Sequence, residues 1–210
     1  ITRYLGEPLR REDFMGNFIV HCPQCAGKAK IDVPYHLDFK HAVLKCLDCH
    51  FSEKAIDRMR FRSTGKARCT QCTARLTEEV IDRKKIPSYV RLTCLECGTA
   101  QIVRENWESY ILKYEISGLV DPAFGLPLWL QHPVKGQVLW ANNLEHLIEI
   151  QNYVAATLRE RTTVRFKMTM VERLPEFVKV AKNRKHVLAA LQKMMQGAKE
   201  NHFSAVGPVP

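Results

Sequence analysis

The sequence predicts an α+β protein: two tandem four-cysteine modules, then a small α+β domain with a tryptophan-bearing hairpin and amphipathic helices. Three observations carry that prediction. Four Cys-x-x-Cys pairs, Cys22/Cys25, Cys46/Cys49, Cys69/Cys72 and Cys94/Cys97, use all eight cysteines of the 210-residue chain and fall in its first half. The apolar runs beside them are short and β-prone, as in strands. Helical periodicity begins only after residue 140.

Two residues between cysteines let a tight turn aim both thiolates at one ion. The gaps of 20 and 21 residues within each half allow a hairpin to bring two pairs together. Four thiolates in a tetrahedron suit zinc, and a site closed by four protein ligands keeps no position for a reacting water. A disulfide framework would need an oxidising compartment, and no secretory signal peptide is visible, so the expected location is cytoplasmic. A thioredoxin-type redox site is one pair opening a helix, not four in regular array. His21 and His50 flank Cys22 and Cys49 and read as neighbours of the ligands. Two structural zinc ions are therefore expected, on Cys22, Cys25, Cys46, Cys49 and on Cys69, Cys72, Cys94, Cys97.

The two halves repeat. Cys22-Pro-Gln-Cys25 matches Cys69-Thr-Gln-Cys72, and Cys46-Leu-Asp-Cys49 matches Cys94-Leu-Glu-Cys97, at offsets of 47 and 48 residues. Such duplication favours sequential pairing, each half closing its own site, over a cross-braced arrangement. Phe18-Ile19-Val20, Ala42-Val43-Leu44, Tyr89-Val90-Arg91-Leu92 and Gln101-Ile102-Val103 read as strands beside the pairs. This order of strand, knuckle, hairpin, knuckle and strand over residues 18–104 resembles the zinc-ribbon class, including ribbons of general transcription factors. The resemblance implies modules that bind DNA, RNA or protein. Knuckles of that class often close on glycine, which accepts a turn with φ > 0. Only Cys97-Gly98 does so here; Ala26, His50 and Thr73 hold the other three places.

The expected organisation is an N-terminal arm (1–17), a first ribbon (18–57), a basic linker (58–68), a second ribbon (69–104), an α+β domain (105–200) and a tail (201–210). A ribbon has almost no core of its own and depends on its metal, so residues 105–200 should hold an independent core. There, Trp107, Tyr110, Ile111 and Tyr114 suit a strand or short helix. Leu126-Pro-Leu-Trp-Leu130, the turn Gln131–Gly136 and Gln137–Trp140 read as a hairpin bearing Trp129 and Trp140, whose rings suit a small core better than base stacking. Asn142 or Asn143 caps a helix with Leu144, Leu147, Ile148, Val154, Ala155 and Leu158 on one face. Residues 162–171 fit strand or helix alike, and Pro175 suits a helical first turn. A last helix, capped near Asn183, carries Val187, Leu188, Leu191, Met194 and Met195, with Gly197 a candidate stop.

The net charge of +10 is concentrated. Residues 58–68 hold Arg58, Arg60, Arg62, Lys66 and Arg68 and no acid, residues 161–210 contribute +7, and the remainder sums to −2. Alternation in Arg58-Met-Arg-Phe-Arg62 would place three guanidinium groups on one face of a strand. With Lys66, Arg68, Lys182, Arg184 and Lys185 they are the candidate phosphate contacts. A solvated linker is the bland alternative, and an acidic protein partner would be drawn by the same field. Nucleic-acid binding is therefore the first expectation and a protein–protein adaptor the second. No glycine-rich phosphate loop, Gly-x-Ser-x-Gly elbow or His-Glu-x-x-His pair occurs, so no catalytic residue and no enzymatic role is expected. No run reaches the roughly 18 apolar residues of a membrane helix.

Overall fold

The computed structural model describes residues 3–103, 106–158 and 168–199. Most of the ambiguous stretch 162–171 and the whole of 201–210 lie outside the described residues. Strands and helices are both present, so the class is mixed α+β. Strands β1 (Asn17–His21), β2 (Lys28–Asp32), β3 (Val43–Cys46) and β4 (Ser52–Lys54) form an antiparallel sheet in sequence order. Period-two alternation turns Phe18, Val20, Ala29, Ile31 and Leu44 inward.

Strand β5 (Met59–Arg68) pairs with β6 (Arg75–Arg83), while β7 (Val90–Thr93) and β8 (Ala100–Val103) form a separate hairpin. Strand β9 (Glu108–Ile111) adds to the start of β5, giving the order β6-β5-β9. The segment expected to be a linker is thus the central strand of a sheet. Strands β10 (Gln131–Val134) and β11 (Gln137–Trp140) are joined by Lys135 and Gly136, with φ of 47° and 78°. Two positive φ values mark the tight turn that matches strand twist.

Helix α1 (Leu144–Ala155) starts at Asn143, whose side chain accepts the His146 N–H at 2.9 Å. Its buried face is His146, Leu147, Ile150 and Val154. Ile148 and Ala155, expected on that face, are exposed: counted from Leu147, the helical period falls on Ile150 and Val154. Pro175 caps the single turn α2 (Glu176–Lys179). Helix α3 (Arg184–Lys199) buries Val187, Ala190, Leu191 and Met194 and continues through Gly197. One core joins these helices to Leu130, Val134, Leu139 and Phe14, so residue 14 of the expected arm lies inside it. The arm is also tied down by backbone bonds from Tyr4 N–H to Leu158 O (2.9 Å) and from Met170 N–H to Leu9 O (2.7 Å).

A second core shows that the first ribbon is not independent of the C-terminal half. Phe18, Val20, Ile31 and Leu44 pack with Ala123, Phe124, Leu126 and Leu128. Asp121 holds that segment in a turn, its buried carboxylate accepting N–H groups of Ala123 (2.8 Å), Phe124 (2.7 Å) and Leu126 (2.7 Å). The chain then lies along the edge of β1, with His21 N–H donating to Pro127 O and Trp129 N–H to Ile19 O, each at 2.9 Å. Buried Lys28 of β2 donates to the carbonyl of Ala198 at 2.9 Å. A cation there meets the negative end of α3. Trp129 packs half-buried with its ring 4.6 Å from that of His21, and Trp140 packs half-buried beneath the Arg11 guanidinium.

Candidate metal centres and the basic face

Register brings the cysteines together. Cys22 and Cys25 follow the end of β1, and Cys46 ends β3 with Cys49 just after it, Ala29 of β2 lying opposite Cys46. All four Sγ atoms of each set lie within 4.8 Å of one another. Cys22 and Cys49 are 3.7 Å apart and Cys25 and Cys46 3.6 Å, while Cys69–Cys97 and Cys72–Cys94 are both 3.5 Å. The pairing is therefore sequential. These spacings are far longer than the about 2.05 Å of a disulfide. They approach the edge of about 3.8 Å that a tetrahedron with metal–sulfur bonds of about 2.3 Å would have. Each set can hold one metal ion.

The backbone of the four knuckles is alike. Ala26, His50 and Thr73 adopt φ of 59°, 60° and 61°, and Gly98 has 73°. Three side-chain-bearing residues thus occupy the left-handed conformation that costs about 1–2 kcal/mol outside glycine. Amide hydrogens turn towards sulfur: Gln24 N–H on Cys22, Gln71 N–H on Cys69, and Asp48 and Cys49 N–H on Cys46, all at 3.4 Å. At Cys46 burial pushes the thiol up. The amides of Cys49 and Asp48 and the neighbouring thiols outweigh it and bring the pKa down to about 7. A Cβ at Gly27 would fall 2.1 Å from Asp48 Oδ2, so a side chain there would displace the carboxylate that accepts the Lys28 N–H at 3.0 Å. His21 Nδ1 lies 3.1 Å from Ala26 O, within its own knuckle, and neither histidine joins a four-sulfur set.

The basic residues divide differently from the sequence expectation. Arg58 is committed within the fold: Nε donates to Leu112 O at 2.6 Å, Nη1 to Glu53 at 3.2 Å, and the guanidinium lies 3.9 Å from the Tyr114 ring centre. Arg60 donates to Met59 O at 2.8 Å, and Arg62 pairs with Glu108 at 2.9 Å. The alternation is present, but Arg58 finds its partners in β4 and just beyond β9, and Arg62 in β9, which a single segment does not reveal. Lys66 and Arg68 are exposed and share an open cleft with Arg75 and Thr77 of β6. Register explains this: Lys66 faces Thr77 and Arg68 faces Arg75 across the ladder, while Ala67 and buried Leu76 point to the other side. Arg75 was not among the sequence candidates, because only strand pairing brings it beside Arg68. Lys182, Arg184 and Lys185 stand at the start of α3, about 20 Å along the helix from the Lys28–Ala198 contact. The Arg184 Nε is buried without a partner among the described residues.

Comparison with known proteins finds no family model, no curated protein and no solved structure that matches the chain. Among the described residues, no helix is long and apolar enough to cross a membrane.

Proposed function

We propose that this is a non-enzymatic protein with two structural zinc ions that binds nucleic acid through its second ribbon. Zinc is the metal that four thiolates in tetrahedral array favour, and closed four-sulfur sites serve folding rather than catalysis. Eight reduced cysteines fit a reducing compartment, the cytoplasm. The observation that carries the binding role is the cleft of Lys66, Arg68 and Arg75, three exposed cations on one face of β5–β6 with no acidic side chain in the lining among the described residues. Cations spaced along a strand ladder suit successive phosphates. Lys182, Arg184 and Lys185 form a separate basic site on α3 and are assigned a secondary, non-specific contribution.

Replacing Lys66, Arg68 and Arg75 together by Gln should weaken binding to any sequence. The log–log salt dependence should become shallower by about 2–3 units, close to one per lost phosphate contact. The same change at Arg58, Arg60 and Arg62 should instead lower stability and leave that slope nearly unaltered. The second reading, a protein adaptor, is favoured by exposed apolar residues on the same ribbon: Leu95 at 99%, Ile102 at 66% and Tyr89 at 56% exposure. Failure to bind any DNA or RNA near physiological salt would make the adaptor the better account.

A further inference from the structure

A pocket of about 90 Å3 lies between the β10–β11 hairpin and the α2 turn, apart from both metal centres and from the basic cleft. Arg11, Leu139, Trp140, His146, Arg173 and Phe177 are among its lining residues. The chemistry of that lining is one-sided. Its walls are largely apolar, and its polar side chains only donate hydrogen bonds. His146 is 3% exposed, stacked on Phe14 at 5.0 Å and edge-on to Trp140 at 5.8 Å. Its Nδ1 accepts the Asn142 N–H at 3.2 Å, which places the proton of the neutral ring on Nε2. Among the described residues that Nε2–H has no hydrogen-bond partner. Burial and the charge of Arg11 push the ring's pKa down to about 4, so it is a neutral donor at pH 7. At the rim the Arg11 guanidinium lies 4.8 Å from the Trp140 ring centre, and Arg173 has only a loose pairing with Glu12, at 3.8 Å.

We propose that this pocket binds a small carboxylic acid as its anion, with the carboxylate held by Arg11, Arg173 and His146 Nε2–H and a short apolar chain among Leu139, Leu174 and Phe177. Three donors on one pocket lining, with no acceptor among them, favour an anion, and planar guanidinium groups suit a carboxylate. The volume limits the apolar part to about four carbons, scaled from the roughly 150 Å3 cavity that holds benzene. This inference does not depend on the nucleic-acid reading.

The test is titration of the zinc-loaded 210-residue chain with isovalerate, followed by NMR at the Trp140 indole and the His146 ring. Isovaleramide serves as the neutral isostere. Saturable shifts at both residues are expected, with the amide weaker by about tenfold or more, since it forfeits the charge-assisted bonds. Arg173→Gln should weaken isovalerate binding several-fold, while Arg173→Lys, which keeps the charge, should restore most of it. Zinc content and helical circular dichroism should be unchanged in both variants. Equal affinity for acid and amide would overturn the proposal, as would isovalerate shifts that survive Arg173→Gln or that fail to saturate by about 50 mM.

Discussion

In the first ribbon the edge of β1 is covered by residues 127–129, and its apolar face packs on Phe124, Leu126 and Leu128. In the second ribbon Leu76, Val90 and Leu92 are the buried apolar residues besides cysteine among the described residues, and Cys72 and Cys97 are exposed. Yet the two share cysteine spacing, knuckle conformation and sulfur geometry. Spacing therefore encodes the metal site, and remote segments decide what depends on it. The first four-cysteine site is built into the protein's core, whereas the second belongs to a small module that carries the basic cleft.

Matched mutants should break this comparison most visibly. A structural zinc ion contributes on the order of 10–16 kcal/mol, as much as the whole stability of a typical domain. Cys94→Ala should yield a protein with one zinc and near-normal helical circular dichroism. Cys46→Ala should lose helical signal as well, because the C-terminal segment loses the surface it packs on. Equal helical content in the two mutants would erase the distinction.

Core truncation gives the next largest effect. Phe124 is fully buried against the first ribbon, and Phe124→Ala should cost about 3–5 kcal/mol in urea unfolding while loosening the first zinc. Leu92→Ala should damage the second ribbon alone, leaving the midpoint reported by Trp140 fluorescence in place.

Acid sharpens the contrast through His146, which lies in the C-terminal core and has no counterpart in the second ribbon. Its folded pKa of about 4 lies below the ordinary value of 6.5. Between those values the unfolded chain binds a proton that the folded chain does not. The contribution is thus complete above about pH 6.5 and is lost as pH falls towards 4, by up to about 3 kcal/mol. Urea unfolding of wild type and His146→Gln at several pH values should show the wild type losing more stability across that window. Parallel curves would remove His146 as the cause.

The smallest effect lies in the knuckles. Glycine at position 26 or 73 removes a left-handed strain of about 1–2 kcal/mol but adds about 0.5–1 kcal/mol of unfolded-state entropy. Thr73→Gly should tighten the second zinc a few-fold in a chelator competition, more than Ala26→Gly tightens the first, since Thr73 is β-branched. Weaker zinc binding in either variant would show that the side chains stabilise their turns.

Much of the metal chemistry was legible in the sequence, because Cys-x-x-Cys is a local pattern and its repetition signals sequential closure. Even the three knuckle positions lacking glycine take the conformation that glycine's place implies. Long-range partners were not legible. The fate of Arg58 depends on Glu53, Leu112 and Tyr114, that of Arg62 on Glu108, and the cleft on Arg75 across a hairpin. The burial of the first ribbon depends on a turn that Asp121 organises about 100 residues downstream of β1. Charge alternation reports a strand face, and only the neighbouring strand says whether that face is free.

Native-state hydrogen exchange of the zinc-loaded protein addresses the unequal coupling of the two ribbons most directly. Amides open in cooperative units, each with its own free energy. The amides of Ile31 and Leu44 should exchange with the same opening energy as that of Leu191 in α3, reporting one unit. Those of Val90 and Leu92 should exchange through a separate opening of lower energy. A common opening energy for the two ribbons, distinct from that of α3, would contradict the built-in first centre and restore two equivalent, independent modules.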